Sequence, residues 1–123
     1  MDRLDDHALD DVAAYFRALA VPLRLKILNA LRNGERNVTQ LTQELGCSQA
    51  NVSKHLTLLA QVALVEKMSR STNTYYRIAD PKIFRLCDLV CGQIGKRYAR
   101  QSNRQDMFLV ASARRRKATA VKR

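Results

Sequence analysis

The chain has 123 residues, 46% hydrophobic and 27% charged, which suits one globular core and does not comfortably fill two domains. Lys and Arg number 22 against 11 Asp and Glu, so the net charge is +11 and the sequence pI about 10.2; such a balance in a small domain points to a polyanionic partner, nucleic acid first. No apolar run reaches the ~18–20 residues of a membrane span, nothing at the start resembles a secretory signal, and three cysteines make a poor disulfide framework. The expectation is a cytoplasmic protein with reduced thiols.

Leu9, Val12, Ala13, Phe16, Leu19 and Ala20 recur at helical spacing and predict an amphipathic helix over residues 5–20. Its early aspartates suit the positive end of the helix dipole. Pro22 fits the first turn of a second helix, which carries Leu23, Ile27, Leu28 and Leu31 and stops at Asn33-Gly34. Asn37, with Gln40 three residues on, predicts the capped start of a short third helix running through Leu41 and Leu45 to Gly46. Ser48 is a further N-cap candidate, opening a fourth helix with Val52, Leu56, Leu58 and Leu59 as its apolar positions.

The period then changes. Residues 64–68 and 74–78 are rich in β-formers and predict a hairpin about the polar stretch Ser69 to Asn73. Alternation sends one of Tyr75 and Tyr76 inward and the other outward, without saying which. Asp80-Pro81 predicts the start of a fifth helix, whose stripe is Ile83, Leu86, Cys87, Val90, Cys91, Ile94 and Tyr98. The pattern fades after about Gln105, apart from the apolar patch Met107 to Ala111. The expected division is a DNA-binding domain over 1–106 and a basic, disordered tail over 107–123. Residues 1–11 carry a net −4 and residues 114–123 a net +6, so the part between is basic in its own right.

Two short helices about a tight Gly46-Cys47-Ser48 turn, followed by a β-hairpin, make a winged helix-turn-helix: mainly α with a small hairpin, in the order α-α-α-α-β-β-α. Gly46 supplies the backbone freedom such a turn requires.

The stretch Ala18 to Leu28 (ALAVPLRLKIL) resembles the opening segment of the ArsR/SmtB family of bacterial repressors. Leu41 to Leu56 (LTQELGCSQANVSKHL) is similar to that family's recognition segment, and Leu64-Val65 with Tyr75-Tyr76-Arg77-Ile78 resembles its wing strands. The resemblance covers roughly residues 10–100. It implies a homodimeric repressor of double-stranded operator DNA in the bacterial nucleoid, with no enzymatic activity and no required cofactor. It also implies a small inducer that weakens DNA binding, and a dimer built on the first and last helices: Phe16 from the first, and Ile83, Leu86, Cys87, Val90, Cys91, Ile94 and Tyr98 from the last.

In the fourth helix Ser48, Gln49, Ala50, Asn51, Ser53, Lys54 and Thr57 are placed to face the groove while Val52, Leu56 and Leu59 face inward. Gln and Asn can bond an adenine edge bidentately, and Ser and Lys can reach bases or phosphates. His55 either joins them or packs and hydrogen-bonds inside. Arg70 at the wing tip and Arg77 in the second wing strand are candidates for phosphate or minor-groove contact, and the basic tail for non-specific phosphate affinity.

Two metal sites that the family carries are missing. Asn37 and Thr39 stand at the two positions of its third-helix cysteine pair, and the last helix holds no histidine, the chain's two being His7 and His55. What remains is Cys87 and Cys91, one turn apart on one helix face. Two thiolates could bind As(III), Sb(III) or another thiophilic ion; they could respond to oxidation or persulfide, although Cα atoms ~6 Å apart lie near the upper end of disulfide range; or they could simply pack. Cys47 reads as a packing residue. Repression without an inducer stays open, as does an architectural, sequence-tolerant DNA-binding role, against which the polar recognition helix argues. No glycine-rich phosphate loop or local catalytic histidine motif is present.

Overall fold

A computed structural model describes residues 1–99, 107–111 and 113. Its elements are, in order, α1 (Asp6–Leu19), α2 (Pro22–Leu31), β1 (Arg36–Asn37), α3 (Val38–Leu45), α4 (Gln49–Gln61), β2 (Val65–Arg70), β3 (Asn73–Ile78) and α5 (Ile83–Arg97). The chain forms two compact units, Met1–Asp80 and Pro81–Arg123.

In the first unit the helices start where local chemistry satisfies the orphan N–H groups of a first turn. The Asp5 carboxylate accepts from Ala8 N–H at 2.8 Å, and Pro22 opens α2. At α3 the Asn37 side chain accepts from Gln40 N–H at 2.8 Å while the Gln40 side chain accepts from Asn37 N–H at 2.9 Å. This is the reciprocal box that the spacing predicts. Ile27, Leu28 and Leu31 of α2, Leu41 of α3, and Val52, Leu56 and Leu59 of α4 are buried together with Leu64, Val65 and Tyr76. Each large side chain contributes on the order of 1.5–3 kcal/mol by leaving water.

The wing differs from expectation in two respects. It has a third strand: β1 pairs antiparallel with β3, Arg36 opposite Tyr76 and Asn37 opposite Tyr75, in the sheet order β1-β3-β2. The strands also run further, from Val65 opposite Ile78 to Arg70 opposite Asn73. The turn shrinks to Ser71-Thr72, with Ser71 in the left-handed region at φ 57°. Tyr76 is the inward tyrosine, 8% exposed, and Tyr75 is half-buried.

In the second unit α5 starts at Ile83. Pro81 lies in the turn before it, where Phe84 N–H reaches Pro81 O at 3.1 Å and Arg85 N–H reaches Lys82 O at 3.0 Å. Residues 107–111 are helical. Two contacts explain it. The Phe108 ring stacks on Tyr98 with centroids 6.4 Å apart. Leu109 closes on the buried Gly95, where a Cβ would meet its side chain at 3.1 Å. The basic run from Arg114 onward lies outside the described residues.

Candidate DNA-binding surface and thiol pair

The turn between α3 and α4 is built by Gly46, left-handed at φ 66°, whose N–H donates to Thr42 O at 2.9 Å. Ser48 then caps α4 by accepting from Asn51 N–H at 3.2 Å. With Val52, Leu56 and Leu59 at 0% exposure the helix has one seated face. Gln49, Ala50, Asn51, Lys54 and Thr57 lie exposed on the other, with Ser53 half-buried beside them. The Thr57 hydroxyl donates back to Ser53 O at 3.0 Å, which leaves its lone pairs to accept.

His55 is half-buried and hydrogen-bonded to the first unit's second helix. Its Nδ1 accepts from Arg24 Nε at 3.0 Å in a half-buried position. Burial first, then the Arg24 and Lys54 charges, hold its pKa below the ordinary 6.5, so the ring is the neutral acceptor.

Both wing arginines are already engaged. Arg77 Nε donates to Glu66 Oε2 at 2.7 Å. Arg70 pairs with Glu35 and lies over the Tyr75 ring, 5.8 Å from its centroid. Both arginine side chains stay more than half exposed, 58% and 54%, so these pairs are weak. Glu66 and Arg77 face each other across the ladder, a pairing of opposite charges that the hairpin register dictates. Glu35 and Arg24 left no local signal in the sequence, since their partners stand 35 and 31 residues away.

Cys87 and Cys91 are half-buried thiols on consecutive turns of α5. Cys47 is half-buried too, and its thiol donates to Leu45 O at 3.4 Å, in keeping with packing. Among the described residues no group of three or more His, Cys, Asp and Glu gathers as a metal site. Of the residues expected at a dimer interface, Phe16 and Val90 are exposed, 51% and 49%. Leu86, Cys87, Cys91, Ile94 and Tyr98 are half-buried. Ile83 is 5% exposed in the single chain. Leu89, at 70%, is the most exposed apolar side chain of α5, and the stripe did not include it.

A capped helix, a glycine turn, a polar-faced second helix and a three-stranded wing define a winged helix-turn-helix, a fold that presents one helix to a DNA groove. Residues 21–67 match the family described as bacterial regulatory protein, arsR family. The chain is 38% identical over 85 residues to the HTH-type transcriptional regulator NmtR of Mycobacterium tuberculosis, spanning 69% of this chain and 71% of that one. It is 38% identical over 74 residues to a Streptomyces lividans protein named "Probable mercury resistance operon repressor", spanning 60% of this chain and 59% of that one. A solution structure of a homodimeric winged helix-turn-helix DNA-binding domain from Mycobacterium bovis superposes with a TM-score of 0.66 at 34% identity, covering 84% of this chain and 96% of that one. The chain belongs to the ArsR family of bacterial transcriptional regulators, which bind DNA and are not enzymes.

Proposed function

We propose that this chain is a homodimeric repressor that reads operator DNA with α4 and is released from it by a thiophilic ion at Cys87 and Cys91. The observation that carries the DNA reading is the exposed polar row Gln49, Asn51, Lys54 and Thr57 on a helix whose opposite face is fully buried. Base-capable side chains on a seated helix are what direct readout needs. Ser48, Ala50 and Ser53 flank that row, and Arg70 and Arg77 exchange their glutamates for phosphate when the wing meets the backbone. Phe16, Leu89 and Val90 supply exposed apolar surface for a second copy. Among the described residues no helix is long and apolar enough to cross a membrane, and a DNA-bound regulator works in the bacterial cytoplasm.

Two thiols one turn apart in each chain make four in a dimer, a donor set suited to As(III), Sb(III) or a similar soft ion. The relative named for mercury resistance supports a soft-metal signal. The ion lowers DNA affinity only by binding the weakly bound state better. Such couplings commonly amount to about 5–150-fold.

Fluorescence anisotropy on a duplex from the protein's own promoter region, titrated with arsenite, tests this reading. The reduced wild type should lose affinity by a factor in that range, and Cys87→Ser/Cys91→Ser should keep its affinity throughout. Tight binding that arsenite leaves unchanged would dispose of the metalloid inducer.

A further inference from the structure

Arg24 stands at the start of α2 and spends its guanidinium in two directions. Nη1 reaches the C-terminal carbonyls of α1, Arg17 O at 3.3 Å and Ala18 O at 3.4 Å. Nε donates to Nδ1 of His55, near the middle of α4, at 3.0 Å. One side chain therefore bonds the end of the first helix to the helix that carries the base-capable row. The three contacts lie within one compact unit. They also give a partner to a half-buried ring nitrogen and add a donor to the last carbonyls of α1, of which Arg17 O also accepts from Ala20 N–H at 3.1 Å.

Resting on the DNA-binding reading above, we infer that Arg24 and His55 are positioning residues for DNA recognition: the Arg24–His55 hydrogen bond sets where α4 sits relative to the end of α1, and DNA affinity depends on it. His55 acts here as a neutral acceptor held inside the fold, and its charge plays no part in reading phosphate.

The chemistry of the contact makes this separable from a merely structural role. Arg has no acceptor and is charged at every relevant pH, so the bond exists only while Nδ1 keeps its lone pair. A proton on that nitrogen replaces an attraction with two cations face to face. The charged groups that act on the ring are Arg24 from α2 and Lys54 from α4 itself, both positive. From α1 the Arg17 and Ala18 carbonyl oxygens face Arg24. A link of this kind weakens as pH falls. A histidine that contacts phosphate does the opposite, because the imidazolium is the better phosphate partner. The two roles therefore predict pH slopes of opposite sign.

The test is duplex affinity by anisotropy on the full chain at constant ionic strength, from about pH 7.5 to about pH 5.5, a span that brackets the ordinary His pKa. His55→Asn places an uncharged acceptor where Nδ1 stands and cannot titrate. His55→Leu keeps bulk and removes the acceptor, and His7→Gln controls for the other histidine. Wild type and His7→Gln should lose affinity on acidification. His55→Asn should bind near wild type at the upper pH and stay flat. His55→Leu should bind about three- to tenfold more weakly at the upper pH, the range that the net contribution of one hydrogen bond commands. A thermal unfolding curve for each variant shows whether the folded state is kept at the assay temperature.

Affinity that rises on acidification in wild type and not in His55→Asn would overturn the inference in favour of a phosphate contact by His55. Equal affinities for the Asn and Leu variants would overturn it as well, since the bond would then not matter. Absence of duplex binding by wild type at any pH in low salt would instead refute the DNA-binding reading on which the inference stands.

Discussion

Exchanging the residues at the two left-handed positions that bracket α4 should move stability in opposite directions. Gly46 ends α3 at φ 66° and Ala63 follows α4 at φ 59°. After α4 the chain makes the paired bonds of a Schellman ending: Ala63 N–H donates to Ala60 O at 3.0 Å, and Leu64 N–H to Leu59 O at 3.0 Å. Leu59 and Leu64 are both buried, which gives this ending its usual apolar contact. A Cβ in the left-handed region costs roughly 1–2 kcal/mol. A glycine there instead costs about 0.4–1 kcal/mol through the freer unfolded chain. Ala63→Gly should therefore stabilise by about 0.5–1 kcal/mol. Gly46→Ala should destabilise by about the same amount, because an added Cβ there meets nothing within 4 Å and only the backbone term changes. For a chain of this size that is a shift of roughly 2–5 °C in Tm each way. Urea midpoints with unchanged m values would report it, read at one protein concentration because a dimer's stability depends on it. A destabilised Ala63→Gly, or two shifts of the same sign, would refute the reasoning.

Four further outcomes are expected. Leu56→Ala, at a fully buried position, should cost about 2–5 kcal/mol in urea unfolding. Arg70→Ala should weaken duplex binding and lower the slope of log affinity against log salt by about one. Glu35→Gln should strengthen binding by removing the anion that now holds Arg70, and salt titrations of the two variants check both. Because the His55 pKa is lowered in the folded chain, the unfolded chain takes up the proton first as pH falls below about 6.5. Stability held above that pH should then be lost on acidification towards the folded value. Tm measured at several pH values should fall more steeply for wild type than for His55→Asn.

The features legible in the sequence are those decided within a few residues. Asn37 with Gln40, Ser48, Pro22 and Gly46 each do locally what their chemistry dictates, and the α3–turn–α4 unit follows from them. The exposed row of α4 was readable for the same reason, since the apolar positions fix the other face. What escaped was decided at a distance. The two residues of β1 carry no alternation of their own and become a strand only because β3 offers them a ladder. The Arg24–His55 bond spans 31 residues and has no spacing to betray it. Ala63 takes a glycine's conformation without a glycine's identity, so the end of α4 gave no turn signal. At residues 107–111 the apolar patch is legible, but the packing of Phe108 on Tyr98 and of Leu109 on Gly95 has no local spacing to announce it. Leu89 stands at the stripe's edge, where the spacing alone does not separate it from the polar face.

The central claim is that the exposed face of α4 reads base sequence. It is tested most directly by comparing the affinity of the reduced protein for a duplex from its own promoter region with that for a shuffled duplex of equal length and composition, at one salt concentration, for wild type and for Gln49→Ala/Asn51→Ala. The wild type should prefer the promoter duplex by about 10³-fold or more. The double variant should lose at least about tenfold of that preference, since each bidentate base contact discriminates by roughly 1–3 kcal/mol, while keeping most of its affinity for the shuffled duplex. Equal wild-type affinity for both duplexes, with a steep salt slope, would contradict the account and make this a sequence-tolerant DNA-binding protein.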